Sequence, residues 1–211
     1  SARSRHICVL LGAGASRAAG LPDLQGLQAE VLKVLEGGDR TVAGELFEKG
    51  NIETALSYLR RVAAILDEGE TLRGLSGSEA QALQDKITHA IIPALDSDEA
   101  DAEPFQLLAS WMAGGFYQHP VEVFTINYDL LIERGLEEAG VPYFDGFVGN
   151  LRARFRADLI DDLSPSSPTA LPPEFVRLWK LHGSVNWAEE RVGDLTRVVR
   201  LGVPVAEDVP A

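Results

Sequence analysis

Five consecutive apolar residues, Ile7-Cys8-Val9-Leu10-Leu11, run straight into Gly12-Ala13-Gly14-Ala15-Ser16, and a short alanine-containing stretch follows. An apolar run of that length bounded by glycine reads as a buried strand. Cys8 then serves there as a small apolar residue. Strand, glycine turn and helix in this order form the opening of a dinucleotide-binding α/β unit. Glycines let the backbone approach a pyrophosphate, and free N–H groups at the start of the helix hold its charge. A plain tight turn between strand and helix has the same pattern, so the rest of the chain must decide.

Two further segments do so. Thr125-Ile126-Asn127-Tyr128-Asp129 ends the apolar run that begins at Val121, and Leu181-His182-Gly183-Ser184 ends the run that begins at Val176. In an open parallel sheet the ligand crevice lies outside the carboxyl ends of the strands. Three such ends, each carrying glycine or polar residues, therefore point to one pocket. Of the four histidines, His182 alone follows an apolar run and precedes a glycine. An imidazole, with an unperturbed pKa of about 6.5, accepts a proton near neutral pH. Asn127 both donates and accepts, which suits a ribose hydroxyl and a water together. Asp129 suits either an amide N–H of the ligand or the cap of a helix starting at Leu130. Tyr128 reads as core filling. Arg17 suits either a phosphate or solvent.

These segments resemble the sirtuin family, and in particular its zinc-less, NAD-consuming relatives in bacterial antiphage defence. Gly12-Ala13-Gly14-Ala15-Ser16 followed by Gly20-Leu21-Pro22-Asp23 is similar to the family's G-A-G-x-S…G-x-P-D signature. Thr125–Asp129 is similar to its T-x-N-x-D signature, and His182-Gly183 to its histidine–glycine pair. Asn51–Leu59 resembles a helix of the defence-type branch, and the likeness runs from about Ile7 to Trp187.

The resemblance implies a Rossmann-like parallel α/β sheet that binds NAD+ as substrate. It implies His182 as catalytic base and Asn127 as the residue that positions water and ribose. Gly12, Ala13, Gly14 and Ser16 would meet the pyrophosphate and adjacent ribose, with Asp23, Asn127, Asp129 and Gly183 completing the cofactor-binding set. Family members usually follow the acid at Asp23 with Phe-Arg, whereas this chain has Leu24-Gln25, so the resemblance does not carry the aromatic-gate and arginine roles onto these two positions. The implied activity is NAD+ glycohydrolysis, giving nicotinamide and ADP-ribose, as an effector of antiphage defence. The alternatives are an NAD-dependent protein deacylase or ADP-ribosyltransferase, and a regulatory domain that binds NAD or ADP-ribose without turnover. The implied partners are further copies of the chain, or a sensor or ATPase subunit or domain.

Composition narrows these classes. The single cysteine, Cys8, forbids an internal disulfide and cannot supply the Cys₄ zinc ribbon of deacylase members, so no zinc or other metal is expected. A formal net charge of −13 speaks against direct nucleic-acid binding, since phosphate-backbone binders carry a basic stripe. Arg60-Arg61, Arg152–Arg156 and the arginines from Arg191 to Arg200 read instead as solvated charge. No run approaches the roughly 20 apolar residues of a membrane span, and no secretory segment is evident, so a cytoplasmic protein without membrane contact is expected. The pairs Glu137-Glu138 and Glu189-Glu190 read as solvated faces rather than glycosidase carboxylates.

Between the first strand and Val121 the periodicity is helical. Helices are predicted over Leu24–Leu35, ended by Gly37-Gly38, then a short helical turn or helix at Thr41–Glu48, and helices over Asn51–Asp67 with Asn51 as N-cap, from Gly77 or Ser78 to Leu95, and over Phe105–Tyr117. Asp96–Glu103 reads as a mobile acidic loop. The whole of 1–211 is thus expected to be one sirtuin-like domain with a helical insertion at about 24–118 that covers the pocket. Beyond it come a strand at Val121–Thr125, a helix at Leu130–Ala139, a brief strand or turn at Val141–Phe144, a Pro/Ser-rich loop at Pro165–Pro173, a strand at Val176–Leu181, one strand at Val198–Val203 and an acidic tail. A doubly wound sheet would continue past His182 with more strands, so the chain reads as the N-terminal part of a longer protein, its sheet incomplete at the C-terminus.

Overall fold

The computed structural model describes residues 6–97, 99–115, 117–160, 171–193 and 195–202. Most of the Pro/Ser-rich loop and the whole tail from Pro204 lie outside these. In chain order the elements are β1 (Cys8–Leu11), α1 (Ala13–Ala18), α2 (Leu24–Val34), α3 (Gly37–Glu48), α4 (Ile52–Ile65), β2 (Thr71–Leu72), β3 (Leu75–Ser76), α5 (Gly77–Leu95) and α6 (Glu103–Ala113). They continue with β4 (Val121–Thr125), α7 (Leu131–Glu138), β5 (Tyr143–Phe144), β6 (Phe147–Val148), β7 (Arg152–Phe155), α8 (Ala157–Ile160), β8 (Val176–Lys180), β9 (Trp187–Val192) and β10 (Leu195–Leu201). Two compact units result: Ser1–Leu21 with Asp96–Ala211, and Pro22–Leu95.

The first unit is built on a four-stranded parallel sheet in the order β1-β4-β8-β5. This is the Rossmann-like α/β class expected. The register runs straight across, with Val9 beside Val123 beside Leu178 and Leu11 beside Thr125 beside Lys180. Side chains alternate between faces along a strand. One face therefore collects Val121, Val123, Val176 and Leu178, all at most 3% exposed, against Phe105, Ala109 and Met112 of α6 and Leu131, Ile132 and Leu136 of α7. Burying each large side chain contributes about 1.5–3 kcal/mol, so this layer sets the strand register. Gly135 of α7 is required by the packing. A Cβ there would lie 2.6 Å from the Phe105 carbonyl carbon, so any side chain would drive α6 and α7 apart.

The opposite face carries Cys8, Leu10, Glu122, Phe124, Arg177 and Trp179 and is less covered. Leu10 is 75% exposed, and Cys8 is exposed too. The expectation of a buried first strand is therefore corrected. β1 is the outermost strand of this sheet, and its apolar run is covered on the core face only. Phe124 and Trp179 stack with ring centroids 6.1 Å apart, and Glu122 accepts from the Trp179 indole N–H and from Arg177 at 3.3 Å.

The sequence suggested one strand at Val198–Val203; in its place stands an antiparallel sheet, β6-β7-β10-β9. Its aromatic cluster joins Phe147 to Trp187 at 5.0 Å and to Phe155 at 5.3 Å between centroids. Arg200 lies over the Phe147 ring at 6.0 Å and pairs with Asp145 at 2.9 Å. Burial pushes the Asp145 carboxyl up, and the neighbouring guanidinium opposes that shift.

The second unit is helical, with the small β2–β3 hairpin inside it. Asp23 caps α2 by accepting from Gly26 N at 2.9 Å, and Asn51 caps α4 by accepting from Thr54 N at 2.8 Å. Ile52, Ala55, Leu59 and Val62 of α4 and Ala80, Leu83 and Ile87 of α5 are the buried faces of two adjacent helices. α3 begins four residues earlier than the periodicity predicted, because Gly37 and Gly38 open that helix instead of merely closing α2. α6, read in sequence as part of the same helical stretch, packs on α7 in the sheet unit. Among the described residues no helix is long and apolar enough to cross a membrane.

Candidate active site

Parallel pairing puts the carboxyl ends of β1, β4 and β8 in one row, and the ladder continues past them. Ile126 N donates to Leu11 O at 3.3 Å, and Leu181 N donates to Thr125 O at 2.9 Å. Gly12, Asn127 and His182 thus leave the same sheet edge within two residues of that row.

A continuous set of hydrogen bonds joins the first two strand ends. Asn127 Nδ2 donates to Gly12 O at 3.0 Å and to Ser16 Oγ at 2.7 Å. Ser16 Oγ donates to Asp129 Oδ2 at 2.5 Å, and Asp129 Oδ1 accepts from Leu131 N at 3.1 Å. The Gly12 carbonyl can only accept, which fixes the Asn127 amide with its nitrogen toward the turn. Ser16, Asn127 and Asp129 are 4%, 8% and 4% exposed. Buried polar groups need such partners, and here three side chains supply one another. Asp129 therefore serves the start of α7 and the Ser16 hydroxyl together. The Asn127 backbone is tied down too, its N–H donating to Thr125 Oγ1 at 3.0 Å.

The third strand end joins through Tyr128 and Lys180. The Tyr128 carbonyl accepts from Val185 N at 3.0 Å and Ser184 Oγ at 3.4 Å. Its ring meets the His182 imidazole edge-on, with centroids 6.4 Å apart and planes at 89°. His182 is exposed. Gly183 has φ +96°, a conformation L side chains rarely adopt, and this turns the chain directly after the imidazole. Gly12 and Gly14 face open space, because a Cβ on either would meet no heavy atom within 4 Å. Ala13 opens α1 between them.

Asp23 belongs to the helical unit as the cap of α2. The structure also adds residues the motifs did not single out. Lys180, 1% exposed at its side chain, donates to the Asp129 carbonyl and to Glu133 Oε1 at 2.8 Å. Burial raises the Glu133 carboxyl above its ordinary value, and the Lys180 charge opposes that shift. The signal was available: in Val176, Leu178, Lys180 the lysine occupies an inward position of an alternating strand.

Residues 121–198, which carry β4, β8, the Thr125–Asp129 loop and the His182 turn, match the family model of the SIR2-like domain. Over those residues the chain is similar to that family. Domains of this family are generally NAD-dependent enzymes, so the row of strand ends is the place to look for nucleotide chemistry. No curated protein matches the chain.

Proposed function

We propose that this sirtuin-like chain is an NAD+ glycohydrolase acting as an effector of bacterial antiphage defence in the cytoplasm. The observation that carries the reading is the hydrogen-bonded union of Gly12, Ser16, Asn127 and Asp129 beside the exposed His182. The open space at the Cβ positions of Gly12 and Gly14 supports a pyrophosphate lying against the backbone of that turn. Both Asn127 amide hydrogens are committed to the protein, so its carbonyl oxygen is what it offers a ribose hydroxyl or a water.

In this reading the C–N bond between ribose and nicotinamide breaks, and its electron pair leaves with the ring nitrogen as neutral nicotinamide. Water oxygen bonds to the anomeric carbon, and the proton it loses passes to the His182 imidazole. Positioning and one base are sufficient for such a step. Water is preferred over an acyl-lysine acceptor because these 211 residues contain one cysteine, too few for the zinc ribbon beside a deacylase peptide cleft. Ala13 and Gly183 complete the proposed nucleotide set within the sheet unit. Further copies of the chain, or a sensor or ATPase partner, would govern activity.

The test is nicotinamide and ADP-ribose release from NAD+, followed chromatographically. His182→Ala should abolish release while the variant remains folded, since the residue lies outside the buried core. Full turnover by that variant overturns the base assignment. O-acyl-ADP-ribose formed in the presence of an acylated peptide overturns water as the acceptor.

A further inference from the structure

Lys180 stands where the sheet calls for an apolar side chain. It continues the inward row of Val176 and Leu178, which are 2% and 1% exposed, and among the described residues no other lysine is buried. Withdrawing an ammonium from water costs several kcal/mol unless it is paired and hydrogen-bonded. Here Glu133 supplies the counter-charge at 2.8 Å from α7, and the Asp129 carbonyl takes a second hydrogen. That carbonyl is the last of the Thr125–Asp129 loop. The side chain of the same residue accepts from Ser16, and Ser16 accepts from Asn127, whose amide also donates to Gly12. One ammonium on the strand that delivers His182 thus fixes the loop of the second strand, which in turn holds the turn of the first.

We propose that Lys180 is a positioning residue, which holds the Asp129 carbonyl so that the Thr125–Asp129 loop is preformed before a nucleotide arrives. Its consequence for nucleotide binding rests on the NAD+ reading above; the holding of the loop does not. A protein whose binding-competent form is only partly populated binds with an affinity reduced by that fraction. Release of the loop therefore appears in KM more than in kcat, since the loop, once closed on ligand, presents the same groups.

The test replaces the ion pair by apolar residues, Lys180→Met with Glu133→Leu. Buried pairs exchanged for packed hydrophobic residues of similar volume generally keep the fold, whereas Lys180→Met alone would strand a carboxylate. Hydrogen–deuterium exchange then reads the Asn127 and Leu131 amides, which bond to Thr125 Oγ1 and Asp129 Oδ1. Both should exchange about ten- to a hundredfold faster in the double variant, the range of a lost charged hydrogen bond. Amides of Val123 and Leu178 in the same strands should keep their rates. In turnover, KM for NAD+ should rise by a similar factor with kcat within about twofold. Unchanged exchange at Asn127 and Leu131 in the folded double variant overturns the proposal, as does an unchanged KM in an active one. Absence of turnover in the unmodified protein instead defeats the NAD+ reading, and the exchange arm still decides what Lys180 does.

Discussion

The Ser16 hydroxyl has two possible uses that a single substitution separates. Pointed at a ligand, it would affect nucleotide affinity and little else. In the structure its hydrogen goes to Asp129 Oδ2 at 2.5 Å, and its lone pair accepts from Asn127 at 2.7 Å. Ser16→Ala removes both bonds from a site where all three residues are under 10% exposed. Asp129 keeps Leu131 N and Asn127 keeps Gly12 O, so neither partner is wholly orphaned. A hydrogen bond to a charged group is worth about 1.5–3 kcal/mol and a neutral one about 1 kcal/mol. The expected loss is about 2–4 kcal/mol. All three tryptophans, Trp111, Trp179 and Trp187, fall in the sheet unit, so tryptophan fluorescence follows the unfolding of that unit alone. At about 4 °C per kcal/mol for a unit of this size, the melting temperature should drop by about 8–16 °C. A double-mutant cycle with Asp129→Ala should give a coupling of about 1–2 kcal/mol, since the two residues share one bond. A drop under about 2 °C with additive effects would refute the framing role and return the hydroxyl to the ligand.

Two other perturbations test the neighbouring parts. Gly183→Ala forces a Cβ onto φ +96°, and should cost about 1–2 kcal/mol while misdirecting the adjacent His182. Nicotinamide release should fall at least tenfold, and an unaltered rate would show that the turn does not aim the imidazole. Glu133 gives a pH signature. Its folded carboxyl is held above the ordinary glutamate value of 4.5 by burial, so the native state holds a proton where the unfolded chain has lost it. The sign follows from linkage: this contribution favours folding below about 4.5 and is lost as pH rises through the raised folded value. Urea midpoints relative to Glu133→Gln should therefore fall from acid toward neutral pH, and a relative gain over that range would contradict the burial argument.

How much of this was legible in the residues depends on what each signal measures. β1, β4 and β8 were marked closely, because β1 is apolar throughout and β4 and β8 carry Val121, Val123, Val176 and Leu178 at alternate, core-facing positions before their polar ends. Asn51 and the apolar face of α4 were legible for a similar reason: the cap and the 3.6-residue period are local. The antiparallel sheet was not. Arg152-Ala153-Arg154-Phe155 alternates charged with apolar residues over only four positions, Trp187–Val192 sets three consecutive charges between apolar residues, and much of their stability comes from partners distant in sequence. The exposed side of β1 was hidden by the same limit, since an apolar run cannot announce which of its faces will be covered. Within the site the residues were legible and their mutual bonding was not. Nothing in Thr125–Asp129 as a string says that Asn127 and Asp129 meet on Ser16, over one hundred positions away.

That bonding changes how substitutions at the strand ends should be interpreted. The polar side chains that make the segments conspicuous are largely satisfied by one another: the Ser16 hydrogen, both Asn127 amide hydrogens and both Asp129 oxygens have protein partners. The proposed nucleotide site would then draw on the backbone of the Gly12–Gly14 turn, the Asn127 carbonyl oxygen and His182 beside this bonded set. Changes at Ser16, Asp129 or Lys180 then act by loosening a frame, so they move stability and apparent affinity together. A change at His182 leaves the Ser16, Asn127 and Asp129 bonds in place and should move the rate more than the stability. The two classes are separable with stability and turnover measured on the same variants, and a His182 variant that lost stability in step with rate would mean that the imidazole belongs to the frame as well.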